Sequence, residues 1–390
     1  MKRALSNFLK CSKWIYFCYF YIGSFCMKLL KLFIVPDDNL ILFSCFGGKK
    51  YDDSPKAIYE LMVSDNRFKN YRFVWAFHSP EKFDIKGAEL IKTDNLRYFI
   101  TALKARVWIT NSSIERGLYF KGKRTLYFNT WHGTPIKKMG NDIAANNKAF
   151  VIKKKMKIDA MTVQSDFEAE VFSKMFNIPM RYMLKIGLPR NDILANFKNE
   201  KKEHIKKKLG ISFDKKIILY APTFREFERD SANNCILKPP MDISKWKRTL
   251  YDEYCVLFRT HYEVAKSMKF KNDGFIYDMS LYPNLNELML VSDILISDYS
   301  SIFFDFSIMD KTMFHFTYDY DKYSNERGMY FDIREYLSGS ENEDELLSIL
   351  RHYDEMTEKA KNKIFRQKYV NYYGNASFKA VEYIANNIGL

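Results

Sequence analysis

Two histidines in this chain stand directly after apolar runs that read as strands: His132 in NTWHGTPIKKMG (129–140) and His261 in RTHY (259–262). A histidine whose pKa lies near neutrality can take a proton from an attacking hydroxyl. Two more post-strand loops hold groups suited to phosphate oxygens. APTFR (221–225) offers the hydroxyl of Thr223 and the guanidinium fork of Arg225. SDYSS (297–301) places Asp298, Ser300 and Ser301 where a strand turns into a helix, and the unpaired N–H groups of a helix start suit a pyrophosphate. Arg259 is a further strand-end cation, and Gly133, Thr134, Lys137 and Lys138 are candidate acceptor or phosphate contacts. The plainer alternatives are a tight turn in which Trp131 packs, and Asp298 or Ser300 acting only as a helix cap.

Several chemistries lack their signatures. There is no Gly-x-Gly-x-x-Gly fingerprint and no Walker A lysine, so neither a redox dinucleotide nor ordinary ATP hydrolysis is indicated. The six histidines contain no HExxH pair, and the six cysteines show no CxxC or zinc-type spacing. The cysteines read as reduced core or interface residues of a cytoplasmic protein. Asp319-x-Asp321 is a carboxylate pair of a kind that can hold a metal, but single pairs of this spacing arise often by chance. No motif requires a divalent metal or a tightly bound cofactor.

The elements that must position these loops alternate along the chain. NLILFSCF (39–46), RFVWAFH, AELIKT, RVWITNS, TLYFNTWHG and IDAMTVQS read as strands, with KAIYELMV, NLRYFITALKA and DFEAEVFSKMF as helices among them. A lysine-crowded stretch, FKNEKKEHIKKKLGISFDKK (197–216), breaks the pattern and marks a boundary. The alternation resumes with KIILYAPTF, YCVLFRTHY, FIYDM, DILISDYSS and TMFHFTYD as strands. Strand and helix in turn indicate α/β architecture: two Rossmann-like, doubly wound domains facing a central cleft, with ligands at the carboxyl ends of the strands. The expected division is a basic aromatic segment at 1–36, a first domain at 37–197, a second at 198–368, and a C-terminal helix at 369–390 that can cross back to the first domain.

The 390 residues carry 62 Lys plus Arg against 47 Asp plus Glu, a net charge of +15, which points to a polyanionic partner. From Met1 to Pro36 there is no acidic residue and there are six basic ones. WIYFCYFYIGSFCM, fourteen uncharged residues between Lys13 and Lys28, would span ~21 Å as a helix against the ~30 Å of a hydrocarbon core. The segment is therefore expected to lie in the membrane interface, on an anionic surface, rather than to cross it.

Taken together, NTWHGTPIKKMG, IGLPRND, YAPTFR, RTHY and SDYSSIFFDFSIMDKTMFHFTYDYDKYSNERGMYFD resemble the CDP-glycerol glycerophosphotransferases, in order, from about Asn39 to the C-terminal NASFKAVEYI. The resemblance implies a GT-B fold with an N-terminal acceptor domain and a C-terminal domain for the CDP-activated polyol donor. It also implies a lipid-linked saccharide or a growing teichoic-acid or capsule-type polymer as acceptor, at the cytoplasmic face of a bacterial membrane. Residue by residue, His132 matches the family's WHGTP histidine and His261 that of its Arg-x-His-Pro motif. Tyr262 stands where that motif has proline. Ser300 and Ser301 match the serines that hold the donor pyrophosphate, and Arg225 ends the matching APTFR. The expectation is transfer of glycerol phosphate with release of CMP, His132 as general base, and His261 on the donor phosphates or the leaving group. The alternatives are ribitol phosphate from CDP-ribitol, or a sugar from a nucleotide sugar on the same fold. A non-catalytic nucleic-acid or membrane-binding protein is the rival from another class; no known nucleic-acid module occurs, and no nucleic-acid partner is expected.

Overall fold

The computed structural model describes residues 13–143, 157–197, 200–211, 214–223, 225, 240–260 and 273–390. Contacts divide the chain into two compact units: residues 1–132, 140–192 and 375–390 form one, and residues 133–139 and 193–374 the other.

The first unit is built on seven parallel strands: β1 (Asp37–Ser44), β2 (Arg72–Phe77), β3 (Ala88–Lys92), β4 (Ala105–Thr110), β5 (Leu126–Asn129), β6 (Ala160–Val163) and β7 (Met183–Lys185). Their order in the sheet is β3-β2-β1-β4-β5-β6-β7. Because the order reverses between β1 and β4, the crevice at the carboxyl ends of these two strands is the place where such sheets bind ligands. In register, Ile41 of β1 faces Phe73 of β2 and Val107 of β4. All three positions belong to the core, which the near-continuous apolar runs fill on both faces of the sheet. Helix α1 (Lys13–Leu32) precedes the sheet, while α2 (Asp53–Ser64), α3 (Leu96–Lys104) and α4 (Asp166–Phe176) cross between strands.

The second unit repeats the scheme with six strands: β8 (Lys216–Ala221), β9 (Tyr254–Phe258), β10 (Ile276–Asp278), β11 (Ile294–Ser297), β12 (Thr312–Phe316) and β13 (Gly339–Ser340). The order is β10-β9-β8-β11-β12-β13, every pairing parallel. The lysine-rich stretch includes helix α6 (Glu200–Leu209), which follows the short α5 (Asp192–Ala195). Helices α7 (Ile243–Leu250), α8 (Leu285–Val291), α9 (Ile302–Ser307) and α10 (Tyr320–Arg327) follow, then α11 (Glu343–His352) and α12 (Glu355–Tyr369). The C-terminal helix α13 (Ala376–Ile388) joins the first unit, where Ala380, Val381, Ile384 and Ala385 enter the core. The Asp192 carboxylate accepts hydrogen bonds from the N–H groups of Ala376 and Ser377 at its start, satisfying two donors that a helix N-terminus leaves open.

The N-terminal helix is longer than the apolar run suggests. It spans 20 residues, about 30 Å at 1.5 Å per residue, and Trp14–Leu32 is long and apolar enough to cross a membrane. Lys28 does not end the helix, because its ammonium rests over the Tyr119 ring at 5.4 Å and Leu29, Leu30 and Leu32 continue the apolar pattern. One face is docked on the first unit. Ser24 and Met27 are buried, the Ser24 hydroxyl accepts from Tyr119 N–H, and the Tyr19 hydroxyl donates to the carbonyl of Arg116. Trp14, Tyr21, Ile22, Phe25, Leu29 and Leu32 remain exposed.

Candidate active site

His132 lies three residues beyond the end of β5, on the carboxyl side of the first sheet. Trp131 before it adopts a left-handed backbone (φ +47°), held by a hydrogen bond from its N–H to the Asn129 side-chain oxygen at 2.8 Å. Such a conformation costs a non-glycine residue roughly 1–2 kcal/mol, so it persists only where surrounding bonds impose it. Gly133 follows at φ +152°, a region that a side chain rarely tolerates. The indole of Trp131 stacks on the imidazole at 4.1 Å, and the Phe46 ring lies 5.6 Å away.

The imidazole Nδ1 is 2.7 Å from the carbonyl oxygen of Asn111, the residue after β4. A carbonyl can only accept, so Nδ1 carries the proton and Nε2 is left with its lone pair. Burial pushes the His132 pKa below its ordinary value. The bond to Asn111 and the charge of Asp53 offset part of that effect, and Arg190 adds to the lowering. Asp53 and Arg190 are themselves paired at 3.2 Å, with side chains 8% and 9% exposed. His132 is thus a neutral base at pH 7.

The rest of the first motif serves differently. Gly133 and Thr134 are buried, and residues 133–139 cluster with the second unit. There the Lys138 N–H donates to the Gly328 carbonyl at 2.9 Å, and the Tyr330 N–H donates to the Ile136 carbonyl at 2.8 Å. Lys137 and Lys138 are half-buried.

In the second unit, the loops after β8, β11 and β12 meet at Arg225. Its Nε and Nη2 donate to the two oxygens of Asp319 at 2.7 and 2.8 Å. Nη1 donates to Asp298 at 2.9 Å and to the Thr223 carbonyl. Tyr299, Tyr318 and Tyr323 surround the guanidinium at 5.2, 4.9 and 5.0 Å. Arg225 and Asp298 are each 1% exposed, which leaves no surface for a phosphate. Asp298 also accepts from the N–H groups of Thr223 and Tyr299. The sequence reading placed Arg225 and Asp298 among the phosphate contacts; the geometry makes them a buried brace, because a partner 94 residues away consumes the guanidinium fork. The same brace occupies Asp319, whose carboxylate also accepts from the Tyr299 hydroxyl at 3.1 Å.

Beside the brace, Ser300 and Ser301 are half-buried and precede the six-residue α9. The Ser300 hydroxyl accepts from Ile302 N–H at 3.3 Å, whereas Ser301 makes no side-chain cap bond. The Thr223 hydroxyl is buried and has no hydrogen-bond partner among the described residues. Arg259, just past β9, donates to the carbonyls of Met279 and Tyr282 at 3.0 and 2.7 Å and is half-buried. His261 and Tyr262 lie outside the described residues.

Two doubly wound units, each with its polar residues at the carboxyl ends of parallel strands, define the GT-B class. Within it, residues 26–386 match the family described as CDP-Glycerol:Poly(glycerophosphate) glycerophosphotransferase, and the chain belongs to that family. It is 33% identical over 337 residues to the teichoic acid glycerol-phosphate transferase of Staphylococcus aureus, covering 82% of this chain and 85% of that one. It is 35% identical over 321 residues to the teichoic acid poly(glycerol phosphate) polymerase of Staphylococcus epidermidis, covering 78% of this chain but only 44% of that protein. Among solved structures, a histidine variant of the wall teichoic acid polymerase TagF soaked with CDPG superposes with a TM-score of 0.83 at 30% identity, covering 95% of this chain and 98% of that one.

Two outcomes follow from the geometry. Arg225→Ala leaves the buried Asp298 and the partly buried Asp319 without their cation, so urea unfolding is expected to show a loss of about 3 kcal/mol; a direct phosphate contact would instead weaken donor binding and leave stability unchanged. Because the folded pKa of His132 lies below the unfolded one, its protonation opposes folding as pH falls. With His132 as the base, the kcat/KM profile should be flat through pH 7 and fall only on the acid side of the ordinary histidine range.

Proposed function

We propose that this chain transfers glycerol phosphate from CDP-glycerol to a hydroxyl of a lipid-linked saccharide or growing polymer, with His132 as the general base. The observation that carries the reading is the 2.7 Å contact of Nδ1 with the Asn111 carbonyl, which leaves Nε2 free to accept a proton. The acceptor oxygen bonds to the phosphorus that bears the glycerol, and the bond from that phosphorus to the bridging oxygen breaks. CMP leaves, and the acceptor's proton passes to Nε2. In the second unit the hydroxyls of Ser300, Ser301 and Thr223, with Arg259, are the groups we assign to the donor phosphates; Arg225 and Asp298 hold their loops in place. Lys137 and Lys138 supply further positive charge, and His261 contacts the donor phosphates or assists the leaving group. Together these groups can balance the phosphate charge without a dedicated metal-binding motif.

The place of action we assign is the cytoplasmic membrane face. Helix α1 presents its apolar face from Trp14 to Leu32 while the other face is docked through Ser24 and Met27, which suits a helix lying in the interface rather than one surrounded by lipid. Its lysines add attraction to anionic headgroups.

His132→Gln should keep the fold, by circular dichroism, and lower CMP release from CDP-glycerol with a lipid-linked disaccharide about 100-fold or more; near wild-type turnover would remove His132 from the base role. Running CDP-ribitol and a sugar nucleotide alongside decides the donor. Replacing Tyr21, Phe25 and Leu29 together by serine should abolish co-sedimentation with anionic phospholipid vesicles while CMP release with a water-soluble acceptor persists. Unchanged sedimentation would exclude α1 as the membrane contact.

A further inference from the structure

Asn111 is fully buried at the end of β4, next to β1 at the reversal of strand order. Its side-chain oxygen accepts the Phe46 N–H at 2.7 Å, and its main-chain carbonyl holds Nδ1 of His132 at 2.7 Å. Ser112 extends the same tie: its hydroxyl accepts the Gly47 N–H at 2.9 Å, and its carbonyl accepts from the Asn129 amide at 2.9 Å. Phe46, Gly47 and Gly48 all have left-handed backbones, at φ +47°, +63° and +93°. A loop in that conformation needs fixed acceptors for its N–H groups, and Asn111 and Ser112 supply them. Phe46, so fixed, puts its ring 5.6 Å from the imidazole, while Trp131 stacks on it at 4.1 Å. The amide nitrogen of Asn111 is buried and has no hydrogen-bond partner among the described residues, a cost of the kind that a positioning role can offset.

We propose that Asn111 is a positioning residue for His132: its carbonyl fixes the proton on Nδ1, and its amide oxygen fixes the Phe46 loop that sets the plane of the ring. The inference rests on the reading of His132 as the base. Among the described residues, the charged groups that act on the imidazole are Asp53 and Arg190, paired with one another, while the Lys50 ammonium lies 5.7 Å over the neighbouring Phe46 ring.

The test uses full-length protein labelled with 15N-histidine, with the His132 signal assigned by its loss in His132→Gln. Since the Asn111 amide nitrogen donates to no group among the described residues, Asn111→Asp sacrifices no hydrogen bond among them, keeps an acceptor for the Phe46 N–H and adds a charge beside the imidazole. The His132 titration midpoint should rise by about one pH unit. Asn111→Ala, which frees the Phe46 N–H without adding charge, should lower kcat about tenfold with KM within about twofold of wild type. Should Asn111→Asp fail to fold, the split between kcat and KM in Asn111→Ala decides. A wild-type midpoint in folded Asn111→Asp together with wild-type kcat in Asn111→Ala would overturn the proposal. If His132→Gln turned over at the wild-type rate, the base reading alone would fail, and the midpoint in Asn111→Asp would still report whether Asn111 governs the ring.

Discussion

A parallel sheet covered on both faces has no polar side. Its central strands are apolar along most of their length, and its backbone groups are spent on the neighbouring strands, so polar groups gather mainly where the strands end. Both units of this chain obey that constraint. In the first, the polar groups appear at Asn111, Ser112, Asn129 and His132, each at or just beyond the carboxyl end of β4 or β5. In the second they appear at Thr223, Arg225, Asp298 and Asp319, beyond β8, β11 and β12.

The two crests solve the problem of burial in opposite ways. Around His132 the anchors are neutral: a carbonyl, an amide and two aromatic rings, with the Asp53–Arg190 pair balancing its own charge. A lone buried anion there would hold the imidazole protonated and spoil it as a base. At Arg225 the anchors are ionic, two carboxylates around one guanidinium, and the cluster carries a net negative charge. Turned toward a diphosphate it would repel it. Packed against three tyrosines it instead ties three loops into one shape.

Much of this was legible in the sequence. The alternation of apolar runs and helices located the principal strands, since their composition is dictated by burial on both faces. The three-residue β7 and the two-residue β13 were not legible, because MLK and GS carry no apolar run or alternation that marks a strand, whereas the equally short β10 lies within the apolar FIYDM. His132 was found because it follows a strand and precedes a glycine. Asn111 was missed because its decisive group is a main-chain carbonyl, which residue type does not reveal. Arg225 stood out in the sequence, but its carboxylate partners did not; a guanidinium fits a phosphate and a carboxylate equally well, and only the fold brings Asp319 to it. The length of α1 was underestimated because only the uncharged run up to Lys28 was counted, whereas an aromatic ring takes up that charge within the helix.

The central claim is that strand-end geometry makes His132 a neutral base with its proton on Nδ1. Long-range proton–nitrogen correlation spectra of the wild-type protein at neutral pH read that directly. The account predicts a protonated Nδ1 and an unprotonated Nε2 for His132. A proton on Nε2, or an imidazolium at that pH, would contradict it.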